Sequence, residues 1–583
     1  MHSKISAVLF DTVGALLRTD NYLFLSPLSV TVTALLIYWA AYRFYALYLG
    51  RNVFEINEKR QTPSHTLRDN IDYVPTNRFV LFGHQFASIT GLSPMLGPAI
   101  AVIWGWLPAM VWIVIGAVFI GAVQDFGALI VSIRAKGSSL GKATEQLVGP
   151  RAKTLFHLVI FFLVALAMGV FVHIIATLFS PPFYPQSVMP TGLLILLALA
   201  MGVAVYRLNW NILPITIIGF LLTICLVPIG IIYPITNISI FEWKWLLLLY
   251  AFAASVLPVW TLLQPRDYLN SLLLLTGILV MYLGFFVTNP VFVAPAIDYS
   301  PDGAPAMFPF VFVVIACGAA SGFHALVSSG TSAKQLNKES DAPLVGYGAM
   351  LGESLMGLMA VLACTAGFVS REEWLVRYES WQTADNLGAN IATFITGTTR
   401  FLSTIGIKEQ LAEVAVAILV VSFALTSLDS ATRLLRYNVT EMGETFRVSF
   451  LKNRFVAAAV AVVAIWFFAF FKVGEDFAGL ILWQLFGTTN QLLAGLALLA
   501  ITVYLFRRGK PVIYTVIPML FMLLSTLWAM STNLIDFWRQ DQWLLFTTGT
   551  TLYLLAVWLT IETAFAMQKF RKAKKTERME VHF

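Results

Sequence analysis

Four ionisable side chains stand inside long apolar runs: His84, Asp125, His324 and Glu353. At about 1.5 Å of rise per helical residue, all four lie on the order of 9–12 Å from the same end of their predicted spans. An ionisable group inside a membrane is costly unless it faces a cavity or a partner. A histidine beside a carboxylate titrates in a useful pH range. The pattern therefore predicts a polar cavity or proton relay at that depth.

Each of these residues also has a purely structural interpretation. Either histidine could bond a backbone carbonyl, and Glu353 could extend toward the membrane surface. Asp125, in "GAVQDFGALI", is too short to extend and is the strongest candidate. A metal site is not favoured because ligand spacing such as HExxH is lacking, so no metal and no cofactor are expected.

Hydroxyl groups suggest a second kind of ion site. The stretch "SGFHALVSSGTS" places Ser321, Ser328 and Ser329 on a helix of small residues. Such hydroxyls, together with the carbonyls of an unwound helix, would suit a sodium ion. Tight helix packing explains the same residues equally well. Coupling to a proton and coupling to sodium therefore both stay open.

The elements that position these groups are membrane helices. Of 583 residues, 58% are hydrophobic and only 12% are charged, against about 25% charged in soluble proteins. Apolar stretches of about 17–25 residues recur from end to end, which predicts an all-α polytopic membrane protein of about fifteen transmembrane helices. "GTSAK" lacks the P-loop spacing, and no nucleophile elbow occurs, so an enzyme is not expected.

Basic residues alternate between the connections. Segments 43–78, 134–153 and 431–454 and the tail from Lys569 carry Lys and Arg, whereas the connection at Gly105 and segment 180–190 carry none. The positive-inside rule then places the basic side in the cytoplasm, the amino terminus outside and the carboxyl terminus inside a bacterial or archaeal plasma (inner) membrane. This distribution explains the net charge of +7 without nucleic acid.

Two spans contain matching interruptions. "GHQFASITGLSP" (83–94) opens one set of five spans, and "AASVLPVW" (253–260), with Pro258 in mid-span, opens the next. An odd number of helices inverts the second set, and inverted halves with interrupted helices are typical of secondary transporters. Freed helix N-termini would bind an anion. The predicted substrate-binding residues are His84, Ser88, Gly91, Ser93, Pro258 and Trp260.

This pattern predicts the organisation of the chain. The first segment is an amphipathic interfacial helix, and an extra helix with a cytoplasmic loop precedes the repeats. Additional carboxyl-terminal helices and a basic cytoplasmic tail follow them. The predicted boundaries are 1–22, 23–77, 78–233 and 245–430 for the two repeats, 453–567, and 568–583.

Charged residues near the inner ends of two spans predict a gate. "QPRDYLN" places Arg266 and Asp267 there, and "SLDSATR" adds Asp429. Helix capping is the alternative for the first two. In "WQLFGTTNQLLAG", interhelical hydrogen bonding is expected for Asn490 and Gln491.

Several strings together resemble the carbon starvation protein family. They are "DYVPTNRFVLFGHQFASITGLSPMLGPAIAV", "GAVQDF", "LPVWTLLQPRDYL", "ACGAASGFHALVSSGTSAKQL", "GYGAMLGES" and "LWQLFGTTNQLLAGLAL". The resemblance implies an inner-membrane transporter with an inverted five-plus-five helix repeat, a leucine-transporter-like core. Members are assigned to peptide uptake or to proton-coupled pyruvate uptake. The chain departs at Gln85, where many members have a second histidine, and at Gln264 in the segment before "PRDY".

Together these features predict a secondary active importer of a small carboxylate, first of all pyruvate by proton symport during carbon starvation. Short-peptide uptake and sodium coupling are the alternatives, and a membrane nutrient sensor is less favoured. The expected partners are the carboxylate or peptide, the co-transported proton or sodium, and membrane lipid, but no nucleic acid.

Overall fold

The computed structural model describes residues 26–385, 387–473 and 476–580. The predicted amphipathic segment 1–22 lies outside these residues. The described chain is mainly helical, with one short antiparallel ribbon formed by β1 (Lys472–Val473) and β2 (Asp476–Phe477).

Short π and 3₁₀ turns extend several of the helices. Those of the amino-terminal half are α1 (Pro27–Ala40), α2 (Pro63–Thr66), α3 (Arg78–Ile89), α4 (Ser93–Ala101), α5 (Trp106–Gly116), α6 (Ala122–Arg134), α7 (Leu140–Leu147), α8 (Pro150–Leu178), α9 (Val188–Tyr206), α10 (Ile212–Ile232), α11 (Ile240–Val256) and α12 (Leu263–Thr288). Those of the carboxyl-terminal half are α13 (Met307–Val314), α14 (Ala316–Ala319), α15 (Gly322–Val327), α16 (Ala333–Gln335), α17 (Ala349–Ala366), α18 (Arg371–Tyr378), α19 (Trp381–Ala384), α20 (Leu387–Thr404), α21 (Glu409–Thr445), α22 (Arg454–Phe470), α23 (Ala478–Leu482), α24 (Phe486–Arg507), α25 (Ile513–Arg539) and α26 (Trp543–Glu580).

The chain is a multi-pass membrane protein. Within the described ranges, 11 helical spans are long and apolar enough to cross a membrane, and the bent pair of α3 and α4 brings the number to 12. The apolar helices α11 and α22 have 17 residues each, and the segment from α13 to α16 is interrupted. The expected count of about fifteen is not confirmed by length and composition.

The connections gather on two faces of the bundle. On one, which we name the basic face, Val259 N–H donates to the Ile71 carbonyl (2.9 Å) and Thr76 N–H donates to the Gln335 carbonyl (3.1 Å). On the opposite face, Asp298 N–H donates to the Trp104 carbonyl (2.8 Å). Successive spans run between these two faces. The depth of a buried side chain is therefore described below relative to the basic face or the opposite face.

The first predicted interruption is confirmed. Helices α3 and α4 meet at a bend of 45°. Asn77 caps α3 by accepting the Phe79 N–H, and Pro94 suits the first turn of α4, where no N–H is required. A Cβ on Gly91 would lie 2.7 Å from Ser427 Oγ, so only glycine permits this close approach to α21.

The second predicted interruption is wrong. Helix α11 ends at Val256 and α12 begins at Leu263, so Pro258 lies in the connection and interrupts neither helix. The break falls between α14 and α15 instead, where Ala320 and Ser321 are extended (φ −163° and −133°). Helix α14 packs against α4, and α15 packs against α3. The two interrupted helices therefore lie antiparallel with their breaks side by side.

Candidate functional site

A small enclosed cavity, the chamber, lies where the two breaks meet. Its volume of about 20 Å³ is enough for one or two water molecules. Gly91 and Ser93 line it from the first break, Cys317 and Phe323 from the second, and Ser427 from α21. The remaining wall is mainly apolar and includes Leu163, Val164, Ala167, Met168 and Phe171. The chamber thus combines two helix breaks and two hydroxyls with an apolar wall.

A larger cavity of about 590 Å³, the vestibule, extends from the opposite face toward the chamber. The two share Ser93, Cys317 and Phe486. The charged side chains that line the vestibule, among the described residues, are Asp385 and Asp536. Although Asp385 is exposed at the cavity wall, partial desolvation there raises its pKa to about 6. The route from the opposite face is therefore acidic at neutral pH.

The structure divides the six predicted substrate residues into three groups. Gly91 and Ser93 line the chamber. Ser88 and His84 are buried on its basic side, where Ser88 Oγ lies 2.7 Å from Ser430 Oγ. Pro258 and Trp260 belong to the α11–α12 connection on the basic face, and the Trp260 indole donates to the Asn70 carbonyl (3.2 Å). The break expected at Pro258 does not exist, so the structural reason for placing Pro258 and Trp260 at the substrate is lost.

Three of the four predicted ionisable residues converge in one cluster, the triad. His324 Nδ1 lies 3.5 Å from Asp125 Oδ2, and His324 Nε2 lies 3.1 Å from Glu353 Oε2. All three side chains are fully buried, and within the described residues the carboxylates of Asp125 and Glu353 have no partner other than His324. No group of three or more His, Cys, Asp or Glu in the described ranges is arranged to hold a metal ion.

His84 lies apart from the triad. Its Nδ1 is 2.5 Å from Asp267 Oδ2, and its Nε2 is 3.0 Å from Thr331 Oγ1. Both members of the His84–Asp267 pair are fully buried. Asp267, predicted as part of a gate, therefore joins α12 to the first interrupted helix.

The other predicted gate residues do form a pair. Arg266 binds Asp429 of α21, and the Tyr250 hydroxyl donates to Asp429 Oδ2 (2.6 Å) while accepting from Arg266. Sequence patterns missed Tyr250, which stands in an apolar run. Since Arg266 and Asp267 are consecutive, the start of α12 contacts both α21 and α3.

Residues 54–77, which we name the strap, also close the basic face. Asp72 binds Arg433 (2.9 Å) and Arg436 (3.1 Å), and Arg433 also donates to the carbonyls of Ala254 (2.6 Å) and Leu257 (2.5 Å). Burial acts to raise the pKa of Asp72, but the charges of Arg436 and Arg433 outweigh it and hold that pKa well below its ordinary value. Sequence reasoning missed Asp72 because a carboxylate in a polar loop usually faces solvent.

The strap also contacts the connection after α16. Arg60 binds Glu339 (2.8 Å), and Arg134 of α6 binds the same carboxylate (3.3 Å). Gln264 donates to Thr76 Oγ1 (2.7 Å) and Gln335 Oε1 (2.6 Å). Ion pairs and amide bonds thus close the basic face while the vestibule enters from the other side.

The three serines considered for sodium do not share a site. Ser321 donates to Asn490 (3.1 Å), Ser328 accepts from Gln85 (2.8 Å), and Ser329 donates to the Ala325 carbonyl (2.7 Å). Gln85 also accepts from Ser332 (2.6 Å), so it holds the turn after α15.

Asn490 makes the expected interhelical hydrogen bond and also caps a helix at the second break. Its Oδ1 accepts the Phe323 N–H (3.0 Å), so α24 caps the second break. A Cβ on Gly322 would lie 2.6 Å from the Asn490 carbonyl, which explains the glycine there. Gln491 makes the expected interhelical bond, to Ser525 of α25 (2.8 Å).

The sequence profile described as "Carbon starvation protein CstA" matches residues 26–376 and 375–529. The chain belongs to the CstA carbon starvation protein family. The pyruvate/proton symporter BtsT of Escherichia coli (strain K12) is 31% identical, covering 90% of this chain and 83% of its own length. The peptide transporter CstA of the same organism is 34% identical, covering 87% and 81%. The peptide transporter CstA of Bacillus subtilis (strain 168) is 32% identical, covering 82% and 84%.

The fold is similar to that of a solved transporter structure. A mutant manganese transporter of Eremococcus coleocola superposes with a TM-score of 0.50 and 14% identity, covering 86% of this chain and 99% of its own. An identity this low shows the fold alone, which is of the leucine-transporter class. CstA membership and these relatives support a membrane transporter rather than an enzyme.

Proposed function

We propose that the chain is a secondary active importer that moves pyruvate and a proton inward together during carbon starvation. One observation carries this: a chamber between two helix breaks adjoins a vestibule on one face, and ion pairs close the other. That arrangement suits alternating access around a fixed site. The names of the relatives restrict the substrates considered to pyruvate and peptides.

The direction of transport rests on charge asymmetry. The positive-inside rule assigns the basic face to the cytoplasm, so the vestibule opens outward from a bacterial inner membrane. The amino terminus is then outside and the carboxyl terminus inside. If α11, α22 and the interrupted segment α13–α16 also cross, they add three spans to the 12 and give the expected fifteen.

The first break is the favoured end for an anion. Helix α4 begins at Ser93 on the chamber wall, and a helix N-terminus attracts negative charge. The N-terminus of α15 is already capped by Asn490. A carboxylate bound to α4 would also meet the hydroxyls of Ser93 and Ser427. A chamber of about 20 Å³ needs far less widening for pyruvate than for a dipeptide.

Coupling to a proton follows from the charge of the substrate. Moving one monoanion inward against an inside-negative potential costs about 2.3 kcal/mol per 100 mV. A proton moving with it cancels that charge and adds the pH gradient. Asp125, His324 and Glu353 of the triad, and separately His84, are the proposed proton-handling residues.

The inverted repeats also need revised boundaries. We infer halves of 78–288 and 307–507, each opening with an interrupted helix. Their third helices would be α8 and α21, which pack against each other, and both contact the fourth helices α11 and α22. The fifth helices, α12 and α24, pack on α3 and α15. Helices α9–α10 and α18–α20 are then insertions, and α25 and α26 are additions.

A short peptide is the second candidate substrate. Asp385 and Asp536 would attract an amino group, and a 590 Å³ vestibule can admit a peptide. Sodium coupling is less favoured because Ser321, Ser328 and Ser329 bond to separate partners. A sensor is least favoured, since the relatives are named as transporters.

Uptake into proteoliposomes tests the proposal. Purified full-length protein should accumulate labelled pyruvate when a proton gradient is imposed and not when only a sodium gradient is imposed. A labelled dipeptide serves as the competing substrate under both gradients. Accumulation of neither compound under either gradient would reject coupled import, and accumulation of the dipeptide alone would replace pyruvate.

The vestibule predicts a pH-dependent barrier to anions. Asp385, with a pKa of about 6, is neutral at pH 5 and charged at pH 7.5, so it repels pyruvate only at the higher pH. Asp385→Asn should raise subsaturating pyruvate exchange about two- to fivefold at pH 7.5, since charges at close range in water interact by about 1 kcal/mol. Exchange at pH 5 should not change. Asp302→Asn on the same face is the control, and an equal effect at both pH values would argue against the barrier.

A further inference from the structure

The buried ion clusters differ in charge balance. His84 with Asp267, and Arg266 with Asp429, each join one base to one acid. Asp72 lies between two guanidinium groups. The triad, by contrast, has one base and two acids, and all of its side chains are fully buried. Among these clusters within the described residues, it is the one with an excess of acid.

That excess has an energetic consequence. If His324 were protonated and both carboxylates ionised, the triad would hold a net negative charge. An uncompensated buried charge costs several kcal/mol. The cost is not relieved locally, because His324 is the one partner that the described residues offer to Asp125 and Glu353. Met350 Sδ, 3.2 Å from His324 Nδ1, adds no charge, and Cys317 supplies the other titratable group near the imidazole. One additional proton on a carboxylate makes the triad neutral.

Geometry indicates which carboxylate holds that proton. His324 lies nearer to Glu353 (3.1 Å) than to Asp125 (3.5 Å). We propose that Asp125 is a neutral carboxylic acid in this vestibule-open conformation and carries the transported proton, while His324 and Glu353 remain paired as imidazolium and carboxylate. The transport part of this inference rests on the proposed function; the protonation of Asp125 does not.

The triad is placed to respond to the second break. His324 lies on α15, two residues after Gly322, whereas Asp125 and Glu353 belong to α6 and α17. Gln124, beside Asp125, donates to the Ser321 carbonyl at the break (2.5 Å). Movement of α15 during opening of the basic face would expose Asp125 to water. Its O–H bond then breaks, the proton passes to a cytoplasmic water, and the carboxylate remains until it is reprotonated from the vestibule side.

Infrared spectroscopy of the purified full-length protein tests the protonation directly. At pH 7, the wild type should show the C=O stretch of one buried carboxylic acid, with the isotope shift expected in D₂O. Asp125→Asn should lose that band. Asp267→Asn is the matched control because Asp267 is equally buried but lies in a balanced pair, so this variant should keep the band. Thermal melting shows that each variant is folded.

Two results would overturn the inference: a wild-type spectrum without the band at pH 7, or an unchanged band in Asp125→Asn. The wild-type spectrum alone can give the first result, so a misfolded variant does not prevent the test. The C=O band is measured without any substrate. If the liposomes take up no pyruvate but the band is present and assigned to Asp125, the substrate proposal fails and the proton site stands.

Discussion

Asp125→Asn should abolish gradient-driven accumulation of pyruvate while leaving exchange across the membrane near the wild-type rate. The amide has nearly the shape of the neutral acid, so the vestibule-open state and the substrate chamber should persist. It cannot release a proton, so the pH gradient no longer drives net uptake. A one-unit pH gradient drives about tenfold accumulation in a one-proton, one-monoanion symporter. The variant should fall to a ratio of about one or below.

The measurement compares net uptake and counterflow in the same proteoliposomes. Glu379→Gln, which changes an exposed carboxylate on the opposite face, is the matched control and should accumulate like the wild type. Wild-type accumulation by Asp125→Asn would remove this carboxylate from coupling. Loss of both accumulation and exchange would indicate a structural role instead.

Asp72→Asn should weaken the ion pairs that close the basic face. The conformational equilibrium should then shift away from the state in which the vestibule is open and the basic face is closed. Removing one partner of a buried ion pair costs about 3–5 kcal/mol. Asp72 is 15% exposed and Arg433 keeps two carbonyl partners, so about 2 kcal/mol is expected, or about a thirtyfold change in the equilibrium constant between the two conformations. Substrate selectivity should not change, because the strap does not contribute to the chamber.

Cys317 provides the readout, since it lines both the vestibule and the chamber. In a Cys225→Ala background, labelling of Cys317 by a membrane-impermeant thiol reagent from the vestibule side should slow in Asp72→Asn by more than twofold and by up to about thirtyfold. Glu444→Gln removes an exposed ion pair with Lys142 on the same face and should change the rate by less than twofold. Equal labelling rates in Asp72→Asn and the Cys225→Ala parent would show that the ion pairs of the strap do not stabilise the conformation with a closed basic face.

Sequence patterns identified the membrane class because long apolar stretches are a local signal, and they identified the first interruption because glycine and proline mark it locally. They also grouped Asp125, His324 and Glu353, since depth along a helix can be counted from its end. His84 lies at a similar counted depth but belongs to another cluster, because depth does not determine which helices are neighbours. Contact with Asp267 depends on α3 packing against α12.

The misplaced second break has a related cause. Proline in an apolar stretch marks a kink and a tight connection equally well, and Pro258 belongs to a connection. The true break, at Ala320 and Ser321, has no proline and is stabilised by groups from other helices. Asn490 of α24 and Gln124 of α6 supply its hydrogen bonds. No pattern within the broken segment itself could reveal those distant partners.

The strap has a consequence for how the chain is assembled. Arg433 follows Asp72 by 361 residues. At about 5–20 residues per second, the ribosome makes the partner of Asp72 on the order of 20–70 s later. The amino-terminal half is therefore inserted before the ion pairs of Asp72 can form, and these ion pairs close the basic face only after α21 has been synthesised. The two halves of the chain thus become joined at this face late in synthesis, and not as each half is inserted.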